Sequence, residues 1–333
     1  MPRTVCMTRY ADQSRSLRLD PESQSGGYFQ HAVYNHWDPY EDVPESLLEQ
    51  DRERLMAAGR EEISEVAFDD LRQSLALFGA GEEAVTEDLA PLMLALDDID
   101  DQMFVSSQIY EEAKHTQFFD RYWRDVVNPV AEHHGFEVTN PTDERYFMAA
   151  YEKLFDGTEE AMHRLLEPGE DTPENRVRAY CHYHLTVESV LAQTGYYGLT
   201  NALSDSNVDI TQPDAPDMEL DALVEGIGYI RSDEGRHVGF GMHKVQQHLA
   251  EDGVDEQVVR STLQELMPHV AGIVSYSDEL VDPIPLVEYA REKLTRRIEI
   301  ITNADAEIPD VEELVKLDDG SDADASPAAA TDD

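Results

Sequence analysis

The feature that most constrains this chain is a pattern used twice: a solitary glutamate on one long helical stretch, then Glu-x-x-His on the next. In chain order these residues are Glu82, Glu112 with His115, Glu188, and Glu234 with His237. A Glu and a His three apart on a helix project from one turn toward one point. Spacing alone is not diagnostic. With 12 histidines and 71 acids among 333 residues, chance places an acid three residues before a histidine about 2.6 times, and three such pairs occur. Context separates them. Glu82 is set in an apolar stripe with Phe78, Val85 and Leu89, while Gln108, Glu112, His115 and Phe119 share a face. Glu188 is placed with His184, Leu191, Ala192 and Gly195, and Glu234 and His237 follow Ile227 and Ile230 and precede Gly241. The third pair, Glu160/His163, has polar neighbours and reads as surface.

A lone carboxylate buried in a bundle is costly, whereas several can share buried cations. One Glu from each of two helices and Glu-x-x-His from each of two others is a known way to hold two metals inside a bundle. Separations of 30 residues (Glu82 to Glu112) and 46 residues (Glu188 to Glu234) let a helix turn and return to the same level. The expected fold is therefore all-α, a ferritin-like bundle with extra helices and a di-metal carboxylate site in its core. Oxygen ligands with two imidazoles suit iron or manganese better than zinc. Six protein ligands leave coordination positions for water, oxygen or an exogenous carboxylate.

Periodicity predicts helices near 45–58, 62–95, 99–127, 143–154, 157–166, 174–204, 217–250, 255–280 and 285–300. Residues 1–44, rich in Ser, Gly, Asp, Tyr and Pro, read as an irregular arm, and 45–303 as the metal-binding domain. Residues 304–333, acidic and small, read as a disordered tail. The first residues show no signal peptide, no run is apolar enough to span a membrane, and two cysteines (Cys6, Cys181) suit a reducing cytoplasm. The net charge is −46, with only five lysines among 25 basic residues. Such a field repels nucleic acid and points to a protein kept soluble in concentrated salt.

The strings Ala80-Gly-Glu-Glu-Ala-Val-Thr-Glu-Asp88 and Tyr110-Glu-Glu-Ala-Lys-His-Thr-Gln-Phe118 resemble the ribonucleotide reductase small-subunit superfamily. More narrowly, with Val187-Glu188, Thr194-Gly-Tyr-Tyr197 and Asp233-Glu-Gly-Arg-His237, the chain is similar to that superfamily's manganese–iron ligand-binding oxidases. The likeness covers roughly residues 60–303, with an echo at Trp37-Asp38-Pro39. It implies that Glu82, Glu112 and His115 hold manganese and that Glu188, Glu234 and His237 hold iron, with Glu112 bridging and a di-iron centre as the alternative. It further implies a Val85–Tyr183 ether crosslink, orienting roles for Tyr196 and Asp233, a long-chain carboxylic acid or other small lipophilic ligand bound at the metals, dioxygen as co-substrate, and a homodimer. One departure is Gly235, where relatives carry a larger residue; it suggests a close backbone approach or local flexibility.

Two other readings compete with the oxidase. A reductase small subunit commonly has a radical tyrosine four residues after the first ligand histidine, where this chain has Phe119; a manganese–iron variant lacking that tyrosine is the alternative. The tail weighs more, since such a subunit relays its radical through a tyrosine near the C terminus. No aromatic residue follows Tyr289. A non-catalytic lipid carrier would use the same pocket, the metals merely anchoring a carboxylate.

Overall fold

The computed structural model describes residues 19–20, 22–59, 63–204, 210–213, 215–216, 218–276, 280–304 and 306–316. Among them there are helices and no strand, only an isolated antiparallel bridge between Thr211 and Val281. The ligand-bearing core consists of α3 (Glu65–Ala95), α4 (Ile99–Tyr122), a π-helical segment (Cys181–Ala192) between α7 (Pro173–Tyr180) and α8 (Gln193–Ala202), and α9 (Asp221–Glu251). Around it pack α1 (Gln24–Tyr34), α2 (Glu45–Ala57), α5 (Asn128–His134), α6 (Ala149–Arg164), α10 (Glu256–Val274), α11 (Pro283–Ile301) and the short α12 (Val311–Leu314).

Local chemistry starts these helices where turn signals stand. The side chains of Ser64, Asp98, Thr172, Asp255 and Asp282 each accept a hydrogen bond from a backbone N–H in the first turn of the following helix. Leu220 at the start of α9 offers no such group. Asp51 of α2 supplies it from outside, accepting from Ala222 N (3.1 Å), Leu223 N (3.2 Å) and the Tyr122 hydroxyl (3.0 Å). Burial raises the Asp51 pKa to about 6 despite these bonds.

Long helices covered on several sides pack closely only where side chains are small. On α9, Gly226 faces Phe118, Gly239 faces the Tyr28 ring of α1, and Gly241 faces His184, in each case where a Cβ would overlap the neighbour. Gly235 meets α12: a Cβ there would lie 2.7 Å from both Val311 Cγ1 and the Val311 carbonyl oxygen. The departure at Gly235 is thus a close approach that seats the chain's last described helix on the back of α9.

The sequence-predicted helices differ from the structure in instructive places. The segments expected at 143–154 and 157–166 are a 3₁₀ turn (Glu144–Tyr146) and one helix, α6, which runs through Gly157. The stretch 99–127 ends in a π-helical turn (Trp123–Val127) and continues as α5, and 174–204 carries the π segment at its centre. The expected arm contains α1, whose Tyr28 is buried, and Trp37 is buried too. Within the expected tail, α12 buries Val311 and Leu314 against α9 because two apolar residues three apart suffice to dock one turn. Residues 1–18 of the arm, with Cys6, and 317–333 of the tail lie outside the described residues; Cys181 is buried and free. No helix among the described residues is long and apolar enough to cross a membrane.

Candidate metal centre

The helices bring all six sequence-predicted ligands to one place. One ligand atom from each of Glu82, Glu112, His115 and Glu234 lies within 4.8 Å of the others, and the same holds for Glu112, Glu188, Glu234 and His237. All six are buried. Glu112 and Glu234 belong to both groups, so Glu234 stands between the two positions alongside the expected bridge, Glu112.

Each histidine turns Nδ1 inward and Nε2 outward. His115 Nδ1 lies 3.3 Å from Glu82 and 3.2 Å from Glu112, and His237 Nδ1 lies 3.1 Å from Glu112 and 3.4 Å from Glu188. On the outer side, His115 Nε2 meets Asp233 Oδ2 at 3.0 Å and His237 Nε2 meets Glu111 Oε2 at 2.9 Å. Nε2–H donated to a carboxylate leaves an Nδ1 lone pair for the centre. The arrangement is reciprocal: the acid just before the ligand Glu on α9 holds the α4 histidine, and the acid just before the ligand Glu on α4 holds the α9 histidine. Arg236 ties the two acids together, donating to Glu111 at 2.5 Å and to Asp233. Asp233 also accepts from Trp37 Nε1 (2.7 Å) and pairs with Lys114 (2.9 Å). Sequence reasoning picked out Asp233 and Trp37 but missed Glu111. The signal was available: each Glu-x-x-His is immediately preceded by an acid, as Glu111 in one copy and Asp233 in the other.

The other side of the centre is built differently. Glu188 and Tyr183 stand five apart, about 140° around an α-helix, and would diverge. The π segment widens the turn so that residues five apart share a face. Tyr183 then donates to Glu112 Oε1 at 2.8 Å while Gln108 Nε2 donates to Glu188 Oε1 at 2.9 Å. Tyr196 on α8 donates to Glu82 Oε1 at 3.3 Å and stacks on Phe78, which stacks in turn on Phe119.

The electrostatics call for cations. Burial raises Glu82 to about 8, though His115 opposes, and burial with the neighbouring acids raises Glu188 and Glu234. Glu112 goes the other way: burial opposes its charge, but His237 and His115 hold it well below the usual carboxylate range. Both histidines are buried, which opposes protonation, yet Glu82 for His115 and Glu112 for His237 lift them well above the ordinary imidazole value. Asp233 is held very low by His115, Lys114 and Arg236 against its burial. The outer acids thus have protein counter-charges, whereas the four inner glutamates face only two imidazoles that can carry positive charge. Three buried inner atoms, Glu188 Oε2, Glu234 Oε2 and His237 Nδ1, make no hydrogen bond. Two dipositive ions would neutralise the four glutamates and occupy those atoms, so the donor set fits a di-metal carboxylate centre.

A cavity of ≈ 140 Å³ opens on the α3/π side. Its charged groups are Glu82, Glu112 and Glu188; Val85, Tyr183, Phe78, Leu191 and Leu286 are among the other residues lining it. Gly195 also faces it, at a point where a Cβ would lie 2.5 Å from Phe78.

No protein-family model matches the chain. Solved structures do. An R2-like ligand-binding oxidase, in a Tyr-to-Phe variant with aerobically reconstituted Mn/Fe cofactor, superposes with a TM-score of 0.69 at 28% identity, covering 84% of this chain and 94% of that one. A Gly-to-Leu variant of an R2-like ligand-binding oxidase with a non-activated Mn/Mn cofactor gives the same TM-score of 0.69, identity of 28% and coverage of 84% and 94%. A second Tyr-to-Phe variant matches with a TM-score of 0.69 at 26% identity over 84% of this chain and 94% of that one. By fold and buried carboxylate–histidine core, this chain is a ferritin-like helical protein similar in structure to the R2-like ligand-binding oxidases with Mn/Fe cofactors.

Proposed function

We propose that the protein is an oxygen-activating oxidase with one manganese and one iron ion, which binds a long-chain carboxylic acid at the metals and forms an ether between Val85 and Tyr183. The observation that carries this reading is the meeting, in one cavity, of three ligand carboxylates, an apolar lining, Val85 and Tyr183. Glu82, Glu112 and His115 would hold the first ion, and Glu188, Glu234 and His237 the second. Such a pair supplies reduction of dioxygen and oxidation of an adjacent bond.

The chain's own residues set what that oxidation reaches. Apolar side chains exclude water and accept an alkyl chain, leaving a ligand's carboxylate only the metal end of the cavity at which to be neutralised. Burial and the Glu112 and Glu188 carboxylates raise the Tyr183 pKa well above that of a free phenol, so its proton stays on oxygen until it passes to an acceptor. Glu112 Oε1 accepts the hydrogen bond of that hydroxyl at 2.8 Å and so fixes the phenol's orientation. Ether formation removes one hydrogen from Val85 Cβ and one from the Tyr183 hydroxyl, and the two electrons and two protons go to dioxygen.

Peptide mapping of aerobically Mn/Fe-loaded protein is the test. The expected result is one branched peptide containing both residues, two hydrogens lighter than the sum of its linear parts. In Tyr183→Phe the branched peptide should vanish while metal content persists. Separate linear peptides from fully loaded protein would remove the crosslink and return the choice to a carrier or a reductase subunit.

A further inference from the structure

A second group of ligating side chains lies outside the core centre. Asp88 stands on α3 six residues beyond Glu82, about 9 Å along the axis. On α6, Glu159 and His163 are one turn apart. One ligand atom of each of the three lies within 4.8 Å of the other two. Asp88 is only 6% exposed, and among the described residues no hydrogen bond or ion pair reaches its carboxylate. Burial and the facing Glu159 push its pKa up to about 6, with His163 opposing. Arg164, next to His163 in the chain, pairs with Glu160 at 2.6 Å. A largely buried carboxylate with no protein hydrogen bond, set beside a second acid and an imidazole, is stabilised when a cation joins the three.

We propose that Asp88, Glu159 and His163 form a solvent-accessible site for one divalent transition-metal ion, distinct from the core centre. Two carboxylates and an imidazole favour such an ion over Mg²⁺ or Ca²⁺, which prefer oxygen alone. Exposure of Glu159 and His163 leaves the remaining positions to water. The ion ties α3 to α6, and these two helices form one wall of the cavity. Val85 lies three residues before Asp88 and Phe155 four before Glu159, and both line the cavity. Between them Gly81 approaches Phe155 and the Tyr151 hydroxyl, a Cβ there lying 3.4 Å from each. A bound ion therefore sits one turn from the apolar wall and holds its spacing.

The experiment is calorimetric titration of Zn²⁺ into protein already carrying its core metals, in molar salt with excess Mg²⁺ to suppress binding to surface acids. Core manganese and iron are measured before and after. One saturable Zn²⁺ per chain is expected with core content unchanged. Asp88→Asn and His163→Ala should each weaken it by about tenfold or more, at least what loss of a supporting residue costs a metal site. Glu160→Gln should leave it unaltered. Asp88→Asn preserves shape and His163 is exposed, so both variants should retain the fold. Absence of a saturable event, equal binding in both variants, or Zn²⁺ uptake only at the expense of core metal would each overturn the assignment.

Discussion

The two halves of the metal centre are built on opposite principles. On the α4/α9 half both ligand histidines are backed: Asp233 holds His115, Glu111 holds His237, and Arg236, Lys114 and Trp37 surround these acids. On the α3/π half the carboxylates face a cavity, Glu188 Oε2 has no hydrogen-bond partner, and the helix itself is distorted to bring Tyr183 beside the centre. One half is organised to keep ions in place. The other leaves room for what comes to them. The polar half tolerates little change, whereas the cavity half should separate metal binding from chemistry.

The largest effect should come where the halves meet. Glu112→Ala removes a carboxylate common to both groups and should take metal content from about two ions per chain to nearly none. Glu82→Ala should spare the second ion; equal losses would show that the halves are not separable. Next come the backing residues. Asp233→Asn and Glu111→Gln leave all six ligands in place yet should each lower metal affinity by roughly 10- to 100-fold, as measured by competition with a chelator. Unchanged affinity in both would reduce the reciprocal network to packing.

Proton release sharpens the contrast further. Glu82, Glu188, Glu234 and both histidines have raised pKa values without metal, Glu82 at about 8, so ions must displace protons to bind. Apparent affinity should therefore rise between about pH 6 and pH 8, with protons released to buffer on loading. Calorimetry in buffers of different ionisation enthalpy checks the sign. Affinity that is flat or falls with pH contradicts it.

Behind the polar half, Gly235→Ala would force α12 away from α9 and should cost about 1–3 kcal/mol by chemical denaturation. The mildest effect concerns the surface. At a net charge of −46, lowering the salt from about 1 M to 0.01 M lengthens the screening distance from about 3 to 30 Å, so the melting temperature should fall with dilution. A flat salt series would leave the composition without this explanation.

Much of the polar half was legible in the sequence because it obeys α-helical periodicity. Glu112/His115 and Glu234/His237 lie on regular α4 and α9, so spacing alone puts each pair on one face. The cavity half was legible only in part. Glu188 was found, but its neighbours were assigned by α-helical spacing, which the π segment overrides. Helical width depends on how the carbonyls of 181–192 are satisfied, not on side-chain pattern. Thr186, for instance, donates to the Cys181 carbonyl five residues back. The docking of α12 escaped notice because Val311 and Leu314 are a weak signal inside an acidic stretch, visible only once Gly235 and Gly239 supply the groove. Asp88, Glu159 and His163 were invisible as a set, since no local pattern links α3 to α6.

The central claim is that these six residues hold two different ions. The most direct measurement is anomalous diffraction at the manganese and iron edges from crystals of aerobically reconstituted protein. The expected result is two peaks about 3.5–4 Å apart, manganese beside Glu82 and His115 and iron beside Glu188 and His237, with Glu112 touching both. A single zinc peak, or no peak among these six side chains, would contradict the account.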